Sequence, residues 1–409
     1  MADNDISVDQ LMDEIKALLD EPEEPVVPEE QPKEETQVYQ DAPVVKAVKK
    51  PKEQKANLKW LATLGRGIAK VLIALVTTVL LLAMALYGVM YVLAKGPSPT
   101  ARDLFVRSVR ETSAIGFLAN LYFSEAEIQA IVQGNDTAEY IETDTSLIQI
   151  PKPDDDEVST DGPVADQWGL IDEDGDGIII QDVKGQGYSG KIMIVLDPSR
   201  VIMGSVPSSY GYRGYTVAEM VEHFDAVAGI NAGGFDDPNG TGNGSVPDTM
   251  VVFEGKVYYA QSGVSMGFVG FDENYIMHVG KPSVQDIADK KIQYGVCFGP
   301  VLISNGQVHN PDQLVSGVNP RTAIGQRSDG AVLLLVIDGR QVSSLGATYM
   351  DLAEVLLSYG AVNACNLDGG SSSVMWYDGD YINSPSTYVG IRPVPTTFLV
   401  LKQGGKDNG

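Results

Sequence analysis

The feature that most constrains this chain is an uncharged apolar run from Val71 to Leu93. As a helix that rises about 1.5 Å per residue, the run spans roughly 35 Å, enough to cross a hydrocarbon core about 30 Å thick. It begins too far from Met1, behind too long a hydrophilic tail, to resemble a cleaved signal peptide. A buried core helix is the alternative, but the length and the charged flanks favour a transmembrane helix over residues 71–94.

The charges on either side of this run predict its orientation. Residues 46–70 form a basic juxtamembrane segment that includes Lys46, Lys49, Lys50, Lys52, Lys55, Lys59, Arg66 and Lys70. Because cytoplasmic flanks carry an excess of Lys and Arg, the N-terminus is predicted to be cytoplasmic and the C-terminal domain extracytoplasmic. Lys95 and Arg102 on the far side weaken this asymmetry. The prediction is a single-pass protein of the cell membrane.

The segments that flank the membrane run have distinct compositions. Residues 1–45 are acidic and rich in Glu and Pro, which predicts a disordered cytoplasmic tail. Within this tail, apolar residues at helical spacing between Ile6 and Leu19 predict a short amphipathic helix. A docking motif for a cytoplasmic protein partner and a transient helix without function fit it equally well. After the membrane run, residues 95–135 have the pattern of a helical stalk, and residues 136–167 that of an acidic linker.

The acidic balance of the chain limits its partners. A formal net charge of -26 excludes nucleic acid, which proteins bind through clustered Lys and Arg. An anionic substrate therefore requires a local basic site. Two cysteines, Cys297 and Cys365, are too few for a disulfide framework or a structural zinc site. Free buried thiols are favoured for them, and a single bridge is the alternative.

Residues 168–405 have the pattern of a sheet-rich domain. Val301–Ser304 followed by Asn305-Gly306 is a hairpin signal, and the run 331–337 is apolar throughout, like a strand buried on both faces. Two segments, Thr216–Phe224 and Tyr349–Tyr359, predict helices. The predicted fold class is α+β, with mostly mixed or antiparallel sheet and a few packed helices, preceded by one transmembrane helix.

Four loops at predicted strand ends place polar residues beside glycine, where backbone can approach a ligand closely. They are Asn231–Asp236 (NAGGFD), Asn319–Thr322 (NPRT), Asp338–Arg340 (DGR) and Asp368–Ser372 (DGGSS). An Asp-Gly pair at the end of one strand is more often a turn than a site. Two hydrophobic strands that each deliver a carboxylate onto a glycine loop are more informative, and they indicate a functional site at these ends.

The spacing of these motifs resembles the signature of the phosphodiester glycosidase family, enzymes that split sugar-1-phosphodiester bonds. The stretch from Pro320 to Met375 carries PRTAIG, VIDGR, a helix and NLDGGSSSVM in order. The earlier INAGGFDDPNG and Arg392 before the strand TTFLVL match the same pattern. The resemblance covers roughly residues 190–402. One departure is the stretch Ala232–Phe235, where the family more often has paired glycines followed by paired aromatics.

The resemblance implies a hydrolase that cleaves a sugar-1-phosphodiester bond in a cell-envelope glycan or exopolysaccharide. It implies catalytic carboxylates among Asp368, Asp338 and Asp236, and substrate-binding groups at Arg321, Arg392, Asn231, Gly369, Gly370 and Ser371. A guanidinium offers phosphate a planar fork of donors, which suits both arginines to this task. Which carboxylate is nucleophile or base stays open. The alternative function is a non-catalytic envelope-polysaccharide binding protein that links a surface polymer to a cytoplasmic partner.

A separate acidic motif lies before this region. Asp172, Asp174 and Asp176 alternate as the oxygen ligands of a calcium loop do, with Gly177 in the sixth place. Position twelve is Val183, where such a loop requires a bidentate Glu. An acidic turn before the strand IIIQDV is favoured, so no cofactor is predicted and calcium is the alternative.

Overall fold

The computed structural model describes residues 58–112, 115–132, 141–151, 164–237, 242–260, 267–387 and 390–404. The predicted amphipathic helix at Ile6–Leu19 lies outside the described residues. The chain divides into two compact units, Met1–Ala74 and Leu75–Gly409.

The membrane run lies in one long helix, α1 (Leu58–Lys95). Its stretch Thr63–Lys95 is long and apolar enough to cross a membrane, and none of its most apolar window is buried inside the protein. A core helix would bury such side chains, so the structure contradicts that alternative. Among the described residues, this is the helix that meets the length and composition of a membrane span.

The described residues contain further helices and strands. The other helices are α2 (Pro99–Arg110), α3 (Glu125–Val132), α4 (Val217–His223), α5 (Val284–Asp289) and α6 (Tyr349–Ser358). The strands are β1 (Val164–Ala165), β2 (Ile171–Asp172), β3 (Ile178–Gly185), β4 (Tyr188–Val195), β5 (Val201–Ser205), β6 (Ala226–Asn231), β7 (Val251–Phe253), β8 (Lys256–Tyr259), β9 (Gly267–Asp272), β10 (Met277–Gly280), β11 (Ile292–Phe298), β12 (Val301–Ser304), β13 (Gln307–Val308), β14 (Arg321–Arg327), β15 (Val332–Ile337), β16 (Ala361–Leu367), β17 (Met375–Tyr377), β18 (Asp380–Tyr381) and β19 (Thr396–Leu401). The helices α4 and α6 and the hairpin β12–β13 confirm the corresponding predictions.

Antiparallel pairing organises these strands into sheets. A seven-stranded sheet has the order β13-β12-β16-β14-β15-β4-β3. Two five-stranded sheets have the orders β10-β9-β11-β7-β8 and β18-β17-β6-β19-β5, and β1 pairs with β2. Together with the packed helices, these sheets confirm the predicted α+β class.

The central strand β15 shows how the core is layered. Alternate side chains of a strand point to opposite faces, and here both faces are buried. Val332, Leu334 and Val336 pack in a core cluster with the other two large sheets. Leu333 and Leu335 pack in a second cluster on the opposite face, which includes the buried side of α6. The sheet therefore has apolar cover on both faces, as the uninterrupted apolar run predicts.

Strand direction brings the polar loops to one edge of this sheet. The strands β15 and β16 flank β14 and both run antiparallel to it. The start of β14 therefore lies beside the ends of its two neighbours, with Arg321 opposite Ile337 and Thr322 opposite Leu367. The carboxylates that follow β15 and β16 are thereby delivered to the edge where β14 begins.

Candidate active site

Asp368 follows β16 directly and keeps part of its side chain accessible. Burial raises the pKa of its carboxyl to about 7, although the Ser372 hydroxyl, Arg392 and the Gly369 amide act to lower it and Asp248 acts to raise it further. A group with a pKa near neutrality exchanges protons readily at physiological pH. Asp368 is therefore the carboxyl of this edge that is best suited to acid or base chemistry.

Asn231, at the end of β6, holds the Asp368 loop in place. Its side chain is fully buried, and its Nδ2 donates to the carbonyl of Asp368 at 2.6 Å. Its Oδ1 accepts hydrogen bonds from the Thr322 hydroxyl at 2.9 Å and from the Val374 amide at 3.2 Å. The backbone of Asp368 also donates to the carbonyl of Ala232 at 2.9 Å. The contacts of Asn231 thus connect the Asp368 loop to β14 and to the backbone of Val374.

Arg392 faces the same loop from the last connection of the chain. Its Nη1 and Nη2 donate to the two carboxylate oxygens of Asp237 at 2.9 and 2.6 Å, and Nη1 lies 3.3 Å from the hydroxyl of Ser371. The guanidinium also lies over the ring of Phe235, 4.9 Å from its centroid. Arg392 is therefore held flat beside Ser371. Asp236, one of the three predicted catalytic carboxylates, is exposed.

The glycines after Asp368 use their amides within the loop. The Gly369 amide hydrogen-bonds the Asp368 carboxyl, and the Gly370 amide donates to the carbonyl of Pro320 at 2.9 Å. A Cβ at Gly369 would lie 2.9 Å from that same carbonyl oxygen, and Gly370 has a φ of +62°. Both positions favour glycine for these reasons. The pair shapes the loop against the start of β14.

Arg321 is buried at the start of β14. Its Nε donates to the Ala347 carbonyl at 3.1 Å, and its Nη2 donates to Glu111 at 2.6 Å and to the Gly317 carbonyl at 2.7 Å. Its guanidinium lies 4.4 Å from the ring centroid of Tyr349. Burial alone would lower the pKa of Arg321, but Tyr349 and Glu111 raise it overall. Arg321 therefore stays protonated, and its charge is paired with the Glu111 carboxylate.

Asp338, at the end of β15, has a separate set of partners. Its Oδ1 accepts hydrogen bonds from Asn383 Nδ2 and from the Ser384 amide, both at 2.9 Å. Burial raises its pKa, while these two donors and Lys191 lower it. Asn383 also donates to the carbonyl of Ser373, which connects Asp338 to the far end of the Asp368 loop.

Asp248 is a site residue that sequence reasoning missed. Burial raises the pKa of Asp248, and the carboxylates of Asp236 and Asp237 raise it further. Asp248 in turn raises the pKa of Asp368. Its backbone amide donates to the carbonyl of Gly234 at 3.1 Å, which ties it to the loop after β6. Asp248 stands outside the strand-end motifs, so the sequence carries no signal for it.

Two further predictions concern residues away from this edge. Both cysteines are free, as the favoured prediction has it; Cys365 is buried, whereas Cys297 is only partly buried. The ligand atoms of Asp172, Asp174 and Asp176 lie within 4.8 Å of one another, so these side chains are able to hold a cation. Their carboxylates also accept hydrogen bonds from the turn amides of Gly175, Gly177 and Ile178, as the predicted acidic turn requires.

The strand-end motifs lie within the part of the chain that matches known proteins. Residues 224–401 match the family model described as phosphodiester glycosidase. The SPbeta prophage-derived uncharacterized protein YomE of Bacillus subtilis is 32% identical over 203 residues, which cover 47% of this chain and 31% of that protein. The human N-acetylglucosamine-1-phosphodiester alpha-N-acetylglucosaminidase is 25% identical over 230 residues, which cover 51% of this chain and 44% of that enzyme. The chain thus spans less than half the length of these relatives.

A solved structure of similar description also matches. The zebrafish N-acetylglucosamine-1-phosphodiester alpha-N-acetylglucosaminidase catalytic domain, auto-inhibited by its pro-peptide, aligns with a TM-score of 0.45 and 21% identity. The alignment covers 55% of this chain and 82% of that one.

Proposed function

We propose, from the match of residues 224–401 to the phosphodiester glycosidase family model, that the chain is an extracytoplasmic hydrolase that cleaves a sugar-1-phosphodiester bond in a cell-envelope glycan or exopolysaccharide. The observation that carries the proposal is a partly accessible carboxyl with a pKa of about 7, Asp368, beside Arg392 and Ser371. Asp368 supplies proton exchange, and Arg392 and Ser371 supply hydrogen-bond donors for an anionic group. This combination suits a substrate that joins a sugar carbon to a phosphate.

The chemistry of the substrate assigns the roles. In a sugar-1-phosphodiester the leaving group is a phosphate monoester, a weak base that departs with little protonation. The site therefore needs a base more than an acid, and the carboxylate form of Asp368 takes a proton from water as the water oxygen attacks the anomeric carbon. The bond between that carbon and the phosphate oxygen breaks, and its electron pair leaves with the phosphate.

The basic groups hold the phosphate. Arg392 presents a guanidinium fixed by Asp237, and the Ser371 hydroxyl lies beside it. Arg321, paired with Glu111, holds a fixed guanidinium at the start of β14, and prearranged donors stabilise a leaving anion at low reorganisation cost. Burial raises the pKa of Asp368 to about 7, and Asp248 contributes a smaller rise, so the base is matched to neutral pH.

The apolar helix and its flanks support the proposed location. A helix long enough to span a bilayer is preceded by the basic segment 46–70, and a basic flank favours the cytoplasmic side. The catalytic domain then acts on polymers outside the membrane. Protease protection of the tail in sealed cells, with digestion of the domain from outside, tests this orientation; the opposite protection pattern contradicts it.

The activity is tested on the full chain in detergent with a panel of synthetic sugar-1-phosphodiesters in ¹⁸O-labelled water. We expect free sugar with the label at the anomeric carbon, and no release by Asp368→Asn. Asp378→Asn makes the same chemical change on an exposed turn and serves as the matched control. Label in the phosphate would contradict the mechanism, and substrate binding without release would favour a polysaccharide-binding protein.

A further inference from the structure

The helix α2, which follows the apolar helix α1, lies against the loop that precedes β14. The hydroxyl of Ser108, on α2, accepts a hydrogen bond from the Val318 amide at 2.9 Å, and Arg107 Nη1 donates to the Val315 carbonyl at 3.2 Å. The approach is close, because a Cβ at Gly317 would lie 2.3 Å from the backbone of Ser108. The stalk is thus seated on a loop of the candidate site.

Glu111, just past α2, reaches the buried arginine of that site. Its Oε2 accepts hydrogen bonds from Arg321 Nη2 at 2.6 Å and from Asn319 Nδ2 at 3.0 Å, and its Oε1 accepts one from the Gly317 amide at 2.9 Å. The Arg321 side chain is 6% exposed and that of Glu111 is 25% exposed. A charge-assisted pair with this little access to water fixes the guanidinium in one orientation.

Thr112 makes the corresponding contact with a second arginine. Its hydroxyl accepts a hydrogen bond from Arg340 Nη2 at 2.8 Å and lies 3.2 Å from Asn319 Oδ1. Arg340 in turn lies close to the Asp368 loop, since a Cβ at Gly370 would lie 3.3 Å from its Nη2. Two consecutive stalk residues therefore touch the two arginines that border this loop.

We propose that Glu111 and Thr112, just past α2, are positioning residues of the active site. The inference rests on the proposed function and extends it to residues that lie before the matched family region. An arginine side chain has many rotamers, and a partner that fixes it in advance removes the cost of ordering it when the substrate binds. The stalk supplies that partner for Arg321 and for Arg340.

The test compares variants of the full chain in detergent, with kcat and KM expressed per folded molecule. Glu111→Ala should lower kcat/KM about 10- to 100-fold, because small misplacement of a positioned group has effects of that order. Glu111→Gln keeps an acceptor for Arg321 and should retain most of the activity. Thr112→Val keeps the shape and should lower kcat/KM several-fold, which provides a second variant if Glu111→Ala fails to fold. Arg110→Gln breaks only the Arg110–Glu125 pair of the stalk and should leave activity unchanged.

The outcomes separate this inference from the proposed function. A wild-type chain that is inactive on every phosphodiester refutes the proposed function and this inference with it. Wild-type activity that Glu111→Ala and Thr112→Val leave unchanged refutes the inference alone. A rise in activity in Glu111→Ala also overturns it, because the carboxylate would then block the site. A loss in Glu111→Ala that Glu111→Gln restores supports it, since a merely structural contact would change the folded fraction and leave kcat per folded molecule intact.

Discussion

Replacing the buried carboxyl of Asp368 by an amide should make the protein more stable at alkaline pH. Burial raises the pKa of Asp368 to about 7, whereas an unfolded chain has an aspartate pKa near 3.9. Between these values the folded protein holds a proton that the unfolded chain has released, so stability falls as the pH rises through this window. Above about pH 7 the folded state bears the full cost of the buried charge, which the neutral amide of Asp368→Asn does not carry.

The magnitude follows from the size of the pKa difference. About 3 units at about 1.4 kcal/mol per unit set an upper limit near 4 kcal/mol. Because the side chain keeps partial access to water, we expect a gain of about 1 to 3 kcal/mol at pH 8 and almost none near pH 4. For a domain of this size class, the gain corresponds to a rise in Tm of roughly 3 to 10 °C.

Thermal unfolding of the full chain at pH 4, 6 and 8 measures this effect. Asp272→Asn is a control of opposite sign: burial raises the pKa of Asp272, but His278 and the Ile276 and Asn274 amides lower it overall. A carboxyl whose pKa is lowered in the folded state stabilises the fold at pH values above its pKa in the unfolded chain, and this stabilisation is lost as the pH falls. Asp272→Asn should therefore destabilise the protein at pH 8 and destabilise it less at pH 4. An Asp368→Asn variant whose stability relative to wild type is the same at pH 4 and pH 8 would refute the reasoning.

Three further changes test other parts of the structure. Asp248→Asn removes a like charge and should move the acidic limb of the kcat/KM profile to lower pH by about 0.5 to 1 unit; an unmoved limb contradicts the coupling. Arg392→Lys loses the planar fork on Asp237 and should raise KM for the phosphodiester about tenfold, so an unchanged KM in steady-state assays removes Arg392 from phosphate binding. Arg327→Ala leaves the carboxylates of Asp166 and Asp329 without their fully buried partner, and should cost about 3 to 5 kcal/mol in urea unfolding while folded molecules keep their activity.

Local patterns in the sequence predicted several individual elements. The hairpin signal after Val301–Ser304 and the helix that Thr348 caps both correspond to observed elements. The uniformly apolar run before Asp338 predicted a strand buried on both faces, and β15 has that burial. These predictions succeeded because turn chemistry, capping and apolar periodicity act between residues a few positions apart.

The partners within the candidate site depend on longer distances. The strand-end motifs named Asp368 and Arg392, but nothing near Asp248 in the sequence marks it as the carboxylate that acts on Asp368. Likewise, Glu111 lies 210 positions before Arg321, and no local spacing relates them. Such contacts arise only when the sheets and the segment just past α2 pack together.

The sequence by itself determined the membrane-length helix, the strands, the glycine loops and the acidic and basic residues that follow them. Each depends on chain length, side-chain polarity or backbone freedom, which are local properties. Tertiary structure alone decided the strand order β16-β14-β15, which sets Arg321 between the two strands that end in carboxylates. It also decided the pKa of Asp368 and the contact with Glu111, because burial and charge pairing depend on which distant groups become neighbours.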